Sequence, residues 1–178
     1  MSVVLTSVPG SFEGYASLFG VPDLSRDIVV AGAFRETILK SGPESVRLLW
    51  QHDPSEPIGI WTALQEDSKG LFARGRLNLE TQRGRELDAL IRQGAVNGLS
   101  IGFRTKRARR NANGFGRDLL AVDLWEISLV TFPLLPDARL MRASQNHMPT
   151  SLDALIRRAS GVFHSQSDRT QFMTRSAL

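Results

Sequence analysis

The sequence predicts an α+β protein, mainly antiparallel β. Three observations carry that expectation: segments alternating with a period near two outnumber segments with helical spacing; strands and helices do not alternate strictly, as a parallel sheet would require; and short turn signals separate neighbouring strands. The 178 residues, 42% of them apolar, suffice for one domain with its own core.

Taken in order, "SFEGYASLFGVPD" (residues 11–23) mixes aromatic residues with Gly and Pro and reads as a bent strand followed by a turn. Ile28, Val29 and Val30 form a short strand, and the spacing of Phe34, Ile38 and Leu39 predicts a helix stopped at Ser41-Gly42-Pro43. "VRLLWQHD" is a strand with His52 at its end, leading into a Pro-containing turn. "PIGIWTALQED" and "GLFARGRLNLE" make a hairpin around Ser68-Lys69-Gly70. In its second arm Leu71, Ala73, Gly75, Leu77 and Leu79 alternate with Phe72, Arg74, Arg76 and Asn78. "TQRGRELDALIRQGAV" predicts a helix with Thr81 as N-cap, an apolar face of Leu87, Leu90 and Ile91, and Gly94 as C-cap. "SIGFRTKRARR" alternates as a strand, "NANGFG" loops, and "DLLAVDLWEISLVTF" returns as a strand ended by Pro133. In that last strand Leu124, Glu126, Ser128 and Val130 are expected on one face, with Trp125, Ile127, Leu129 and Thr131 on the other. The compact domain is expected over residues 1–143, with an Arg-bearing C-terminal tail over 144–178.

Charge is unevenly placed. Through residue 138 sixteen Lys/Arg balance sixteen Asp/Glu, whereas beyond it six Arg face two Asp, so the net charge of +4 belongs to the C-terminal segment. The absence of cysteine excludes disulfides, thiolate zinc sites and cysteine nucleophiles, and any histidine chemistry must use His52, His147 or His164. No apolar run approaches the ~20 residues needed to cross a bilayer, and "MSVVLTSVPGSF" lacks the basic start and apolar centre of a secretory signal, so an intracellular protein is expected. "RTKRARR" collects five basic residues from Arg104 to Arg110. A solvated hairpin accounts for it; phosphate or an acidic protein surface is the alternative. No closely spaced aromatics accompany the run, which weakens a nucleic-acid-binding reading.

"NGLSIGF" (residues 97–103) contains G-x-S-x-G, the pattern of a nucleophile elbow. An elbow needs a helix after the serine, then an acid and a histidine; here a strand follows Ser100 and the later histidines fall in the expected tail. The elbow is therefore rejected. A serine nucleophile on a strand needs only a base, a group that orients the base, and donors for the oxyanion. His52 is the only histidine inside the expected domain, although a strand-end His before Asp-Pro also suits a capped turn. Glu126 stands among apolar neighbours in "LWEISLVTF", and a buried carboxylate requires a partner, either an imidazole or one of the arginines. Asp123 is the competing orienter. Gly98 and Gly102, flanking Ser100, are read as room for a substrate backbone.

Three segments, "LLWQHDPSEPIGIW", "GAVNGLSIGFR" and "LWEISLVTFPLLPDARL", together resemble the prohead proteases of HK97-type tailed phages and related gene-transfer-agent particles. "FEGYASLFGVPD" and "GAFRETI" upstream are in the same style, and the resemblance runs from about Phe12 to Leu140. It departs from the family at "FPLLPDARL", where members often carry a small residue and Asn before the last Pro, so no catalytic role is carried to Leu134 or Leu135. The resemblance implies a fold similar to the herpesvirus assembly proteases, a β barrel or sandwich flanked by helices. It implies His52 as general base, Ser100 as nucleophile, and Glu126 in the third role, where the herpesvirus relatives use a second histidine. On the same ground Arg139 and Arg104 are candidates for stabilising the oxyanion. The implied activity is that of a serine endopeptidase cutting the scaffolding segment of the major capsid protein, and itself, inside the immature capsid in the bacterial cytoplasm. It needs neither metal nor organic cofactor, involves no membrane and no specific nucleic acid, and makes a homodimer an expectation. The tail would then target the scaffold or be removed in autoprocessing. The rivals are a non-catalytic assembly factor of the same fold and a nucleic-acid-binding β protein.

Overall fold

The computed structural model describes residues 8–141 apart from residue 113. The expected tail, with His147 and His164, lies outside the described residues. Strands β1 (Ser11–Leu18), β2 (Ile28–Val29), β3 (Arg47–Trp50), β4 (Asp53–Glu66), β5 (Gly70–Leu77), β6 (Gly98–Arg110) and β7 (Arg117–Val130) are joined by helices α1 (Arg35–Ser41) and α2 (Gln82–Gln93). The strands form one sheet in the order β1-β5-β4-β3-β7-β2, with β6 paired to β7. Every pairing is antiparallel except those of β7 with β2 and with β3, which are parallel. The α+β, mainly antiparallel expectation holds. The two parallel contacts join segments remote in sequence, where a local pattern carries no signal.

Local chemistry explains the elements. In β5 the residues Leu71, Ala73 and Leu77 are buried as the alternation predicts, and Asp67 shapes the turn before it by accepting from the Lys69 and Gly70 N–H groups. Helix α2 begins where the Thr81 hydroxyl accepts from Gly84 N at 3.0 Å. It ends at Gly94, whose φ of 79° needs no Cβ, and it is anchored by the buried Leu87. Helix α1 and the turn before it seal the stretch of β7 between its two parallel neighbours: Val122 N donates to Ala33 O at 3.0 Å and Leu124 N to Thr37 Oγ1 at 3.2 Å.

Residues 138–141 bend the sheet back on itself. Leu99 N donates to Ala138 O and Leu140 N to Asn97 O, while on the other side Tyr15 N donates to Arg139 O and Met141 N to Glu13 O. The segment thus bridges the start of β6 to β1 around a core that includes Phe34, Leu48, Ile58, Leu71, Leu119 and Ile127.

Two expectations need correction. In β7 Gly102 pairs with Glu126 but Phe103 pairs with Leu124, so Trp125 is an extra, unpaired residue. One inserted residue reverses the alternation: Leu124 joins Ile127 and Leu129 in the core, while Trp125 is exposed beside Glu126. The turn after β3 is also tighter than expected. Trp50 pairs directly with Asp53, leaving Gln51 and His52 as a two-residue hairpin loop, and Pro54 and Pro57 lie inside β4. The basic run forms the outer half of β6, where Arg104 meets Asp123 at 3.2 Å, Lys106 meets Glu36 at 3.4 Å and Arg109 meets Asp118 at 2.9 Å. Among the described residues no helix is long and apolar enough to cross a membrane.

Candidate active site

Strand β7 lies between β3 and β6, and their registers set one row of residues across the three strands: Leu49, Ser128 and Ser100. Directly opposed residues on antiparallel strands point to the same side, with Cβ atoms about 4.5–5.5 Å apart. Ser100 and Ser128 are therefore side by side, both buried. Two residues before Ser128, and so on the same face, stands Glu126, opposite Gly102.

The hairpin after β3 delivers His52 to this face. Gln51 and His52 hold φ values of 54° and 61°, the left-handed conformation of a tight hairpin loop that Asn-Gly would adopt more easily. Such residues cost about 1–3 kcal/mol each and persist where their surroundings over-determine them. The surroundings here are specific: Gln51 N donates to Leu129 O at 3.0 Å, Gln51 Nε2 to Thr131 Oγ1 at 2.7 Å, and His52 N to Ser128 Oγ at 3.2 Å.

His52 Nδ1 then lies 2.6 Å from Glu126 Oε1, and the second carboxylate oxygen accepts from Ser128 Oγ at 2.6 Å. Both oxygens of a carboxylate whose side chain is only 14% exposed are thereby satisfied. The hydrogen bond that the ring donates to Glu126 raises the His52 pKa above its ordinary 6.5; burial opposes the rise and the carboxylate charge adds to it. With Nδ1–H committed to Glu126, the neutral ring presents a lone pair at Nε2. Among the described residues Nε2 makes no hydrogen bond within the protein, to Ser100 or otherwise. In free enzymes that contact is often long and tightens when substrate binds.

The structure thus joins His52 to Glu126 directly and sets Ser100 one strand away, with Ser128 between. Of the partners left open for Glu126, it is the imidazole rather than an arginine. Asp123 instead accepts from Arg104 and from Trp125 Nε1 at 3.1 Å, on the far side of the inserted residue. The guanidinium of Arg139 donates to Pro136 O and to Asn97 Oδ1, both at 2.7 Å, fastening the bridging segment to the entry of β6. Gly98 and Gly102 make room for the protein's own atoms rather than for a substrate. A Cβ on Gly102 would fall 1.9 Å from Glu126 Oε1, and one on Gly98 would fall 2.6 Å from Val130 O.

Ser128 was not singled out in the sequence. Its position two residues after Glu126 in a strand, hence on the same face, is the signal that marks it.

Compared with known proteins, residues 4–152 match the family described as caudovirus prohead serine protease. The chain is 37% identical over 126 residues to the prohead protease of Enterobacteria phage HK97, covering 70% of this chain and 56% of that protein. It is 31% identical over 123 residues to the capsid polyprotein of Pseudomonas phage PAJU2, covering 66% of this chain and 18% of that one. Among solved structures, the bacteriophage T4 capsid assembly protease superposes with a TM-score of 0.54 at 18% identity, over 71% of this chain and 85% of that one. The KSHV protease gives 0.48 at 12% identity, over 85% and 76%. The chain belongs to the caudovirus prohead serine protease family. It spans 56% and 18% of the length of the two relatives matched by sequence.

The contact between Gly102 and Glu126 yields a direct test. Gly102→Ala is compatible with the backbone but displaces the carboxylate, so an NMR titration of the His52 ring should find its midpoint lowered toward 6.5. A midpoint equal to that of the wild type would show that Gly102 does not hold this geometry.

Proposed function

We propose that this chain is a serine endopeptidase of prohead maturation in which Ser100 is the nucleophile, His52 the general base and Glu126 the group that orients the base. The single observation that carries the reading is the 2.6 Å bond from His52 Nδ1 to Glu126, on the strand whose neighbour bears Ser100. Membership of the prohead serine protease family supports a serine mechanism.

Ser100 Oγ attacks the scissile carbonyl carbon while its proton passes to His52 Nε2, and the Glu126 carboxylate stabilises the imidazolium through Nδ1–H. The C–N bond breaks as His52 returns that proton to the leaving amine. Water, deprotonated by His52, then attacks the ester; the acid product departs and the serine hydroxyl is restored. Ser128 acts through its neighbours: one hydroxyl fixes the carboxylate and the backbone of the base together.

The substrate in this reading is the scaffolding segment of the major capsid protein, followed by the protease itself, within the immature capsid in the host cytoplasm. Relatives named as a prohead protease and a capsid polyprotein support it.

Co-expression with the capsid protein, read by intact-mass spectrometry, tests the reading: wild type should release the scaffolding segment and Ser100→Ala should release none. Cleavage undiminished in Ser100→Ala would overturn it. The base must be neutral to act, so activity should rise with pH through a midpoint above 6.5. Glu126→Gln removes the main cause of the raised value; kcat should fall about 100- to 10,000-fold, with the midpoint of the acid limb moving down. Ser128→Ala should lower kcat about 10- to 100-fold with KM little changed, since a small misplacement of base and carboxylate is costly. In a Glu126→Gln background the same change should have little further effect.

A further inference from the structure

The outer face of the sheet around Ser100 is closed on two sides. Toward the start of β6 the turn after β7 lies over it, and a Cβ on Gly98 would meet Pro133 Cδ at 2.9 Å. Toward β3 the hairpin that carries His52 covers the row, and Leu49 is buried. Along the strands in the other direction, past Gly102, the face is exposed, and the largest side chain on it is Trp125. Trp125 is the residue inserted in β7, an irregularity of the kind that re-aims side chains beside active sites.

The indole is held in place as well as exposed. Its one polar atom, Nε1, donates to Asp123 Oδ2 at 3.1 Å, and Arg104 Nη2 donates to the same oxygen at 3.2 Å. The guanidinium carbon of Arg104 stands 5.9 Å from the ring centroid. These contacts fix the ring while leaving 57% of the residue exposed, and Asp123 offsets the charge of Arg104 beside it. The other two tryptophans are spent on the core: Trp61 is buried and Trp50 packs against it. A fixed aromatic surface loses little freedom when a ligand covers it.

We propose that Trp125 is a specificity-determining residue of the site and that it receives a large apolar side chain of the substrate about three residues from the scissile bond. The inference rests on the reading of Ser100 as nucleophile. The spacing follows from the sheet. Trp125 stands three positions along β7 from Ser128, the partner of Ser100, which is about 10 Å along the strand and one interstrand step of about 4.8 Å across. An extended peptide running from Ser100 over Gly102 covers that distance in about three residues. The bare ring favours leucine, methionine or an aromatic side chain, which leaves water when it packs there. A substrate lysine or arginine would instead meet the cation of Arg104.

The purified chain, incubated with a library of proteome-derived peptides, has its cut sites read by mass spectrometry. At one position about three residues from the cut, large apolar residues are expected about 3- to 10-fold more often than charged ones. In Trp125→Ala and Trp125→Gln that ratio should fall toward one, with KM for a preferred peptide rising by a similar factor. Labelling of Ser100 by a small fluorophosphonate, too short to reach Trp125, reports whether each variant retains a formed site. Light scattering should give the wild type and Trp125→Ala the same mass; a dimer lost only in the variant would mean that a second copy covers the ring, and overturns the inference. It is overturned equally by wild-type cuts without the apolar preference, by a preference that survives in a labelled variant, by loss of the label from both variants, or by a wild type that cuts capsid protein but no peptide. All of these leave the peptidase reading standing. A wild type that cuts no peptide and leaves co-expressed capsid protein intact overturns both.

Discussion

Strand β7 is paired on both edges at once, parallel to β3 and antiparallel to β6, and every feature of the site is referred to that double pairing. Because both registers pass through Ser128, the end of β3 and the serine of β6 are brought to one row, though 50 residues separate Leu49 from Ser100. Shifting either pairing by one residue would turn Ser100 or Glu126 toward the core. The register is held by burial: Leu48, Leu99, Ile127 and Leu129 fill the inner side of the same three strands, and a slip would expose them.

On that frame the polar groups satisfy one another in a closed chain. Glu126 is a largely buried carboxylate, costly without partners, and it receives one bond on each oxygen. Ser128 donates its only proton to Glu126 and accepts from the His52 backbone, so the left-handed hairpin and the carboxylate are coupled through one hydroxyl. Gly102 leaves the space the carboxylate occupies. The inserted Trp125 puts Glu126 on the outer face while keeping Leu124 in the core; a regular strand would set the two on the same side.

Much of this was legible from residue order. The α2 caps at Thr81 and Gly94, the alternation of β5 and the strand rather than helix after Ser100 follow from local propensity and steric rules that act over a few residues. The pairing of His52 with Glu126 was legible in part, since a carboxylate amid apolar residues demands a partner, but Asp123 and the arginines remained as rivals. The arrangement resolves them: Arg104 and Trp125 occupy Asp123, and the imidazole occupies Glu126.

The sequence by itself determined the inventory: one histidine among the first 143 residues, no cysteine, a serine on a strand, an acid in an apolar run, and an α+β fold built mainly of antiparallel strands. Tertiary structure alone decided which face Leu124 takes, that Ser128 joins base and carboxylate, and that Gly102 makes room for Glu126 rather than for a substrate. The physical reason is range. Propensity, capping and alternation act between neighbours along the chain, whereas a bulge and a parallel pairing exist only once distant strands share hydrogen bonds.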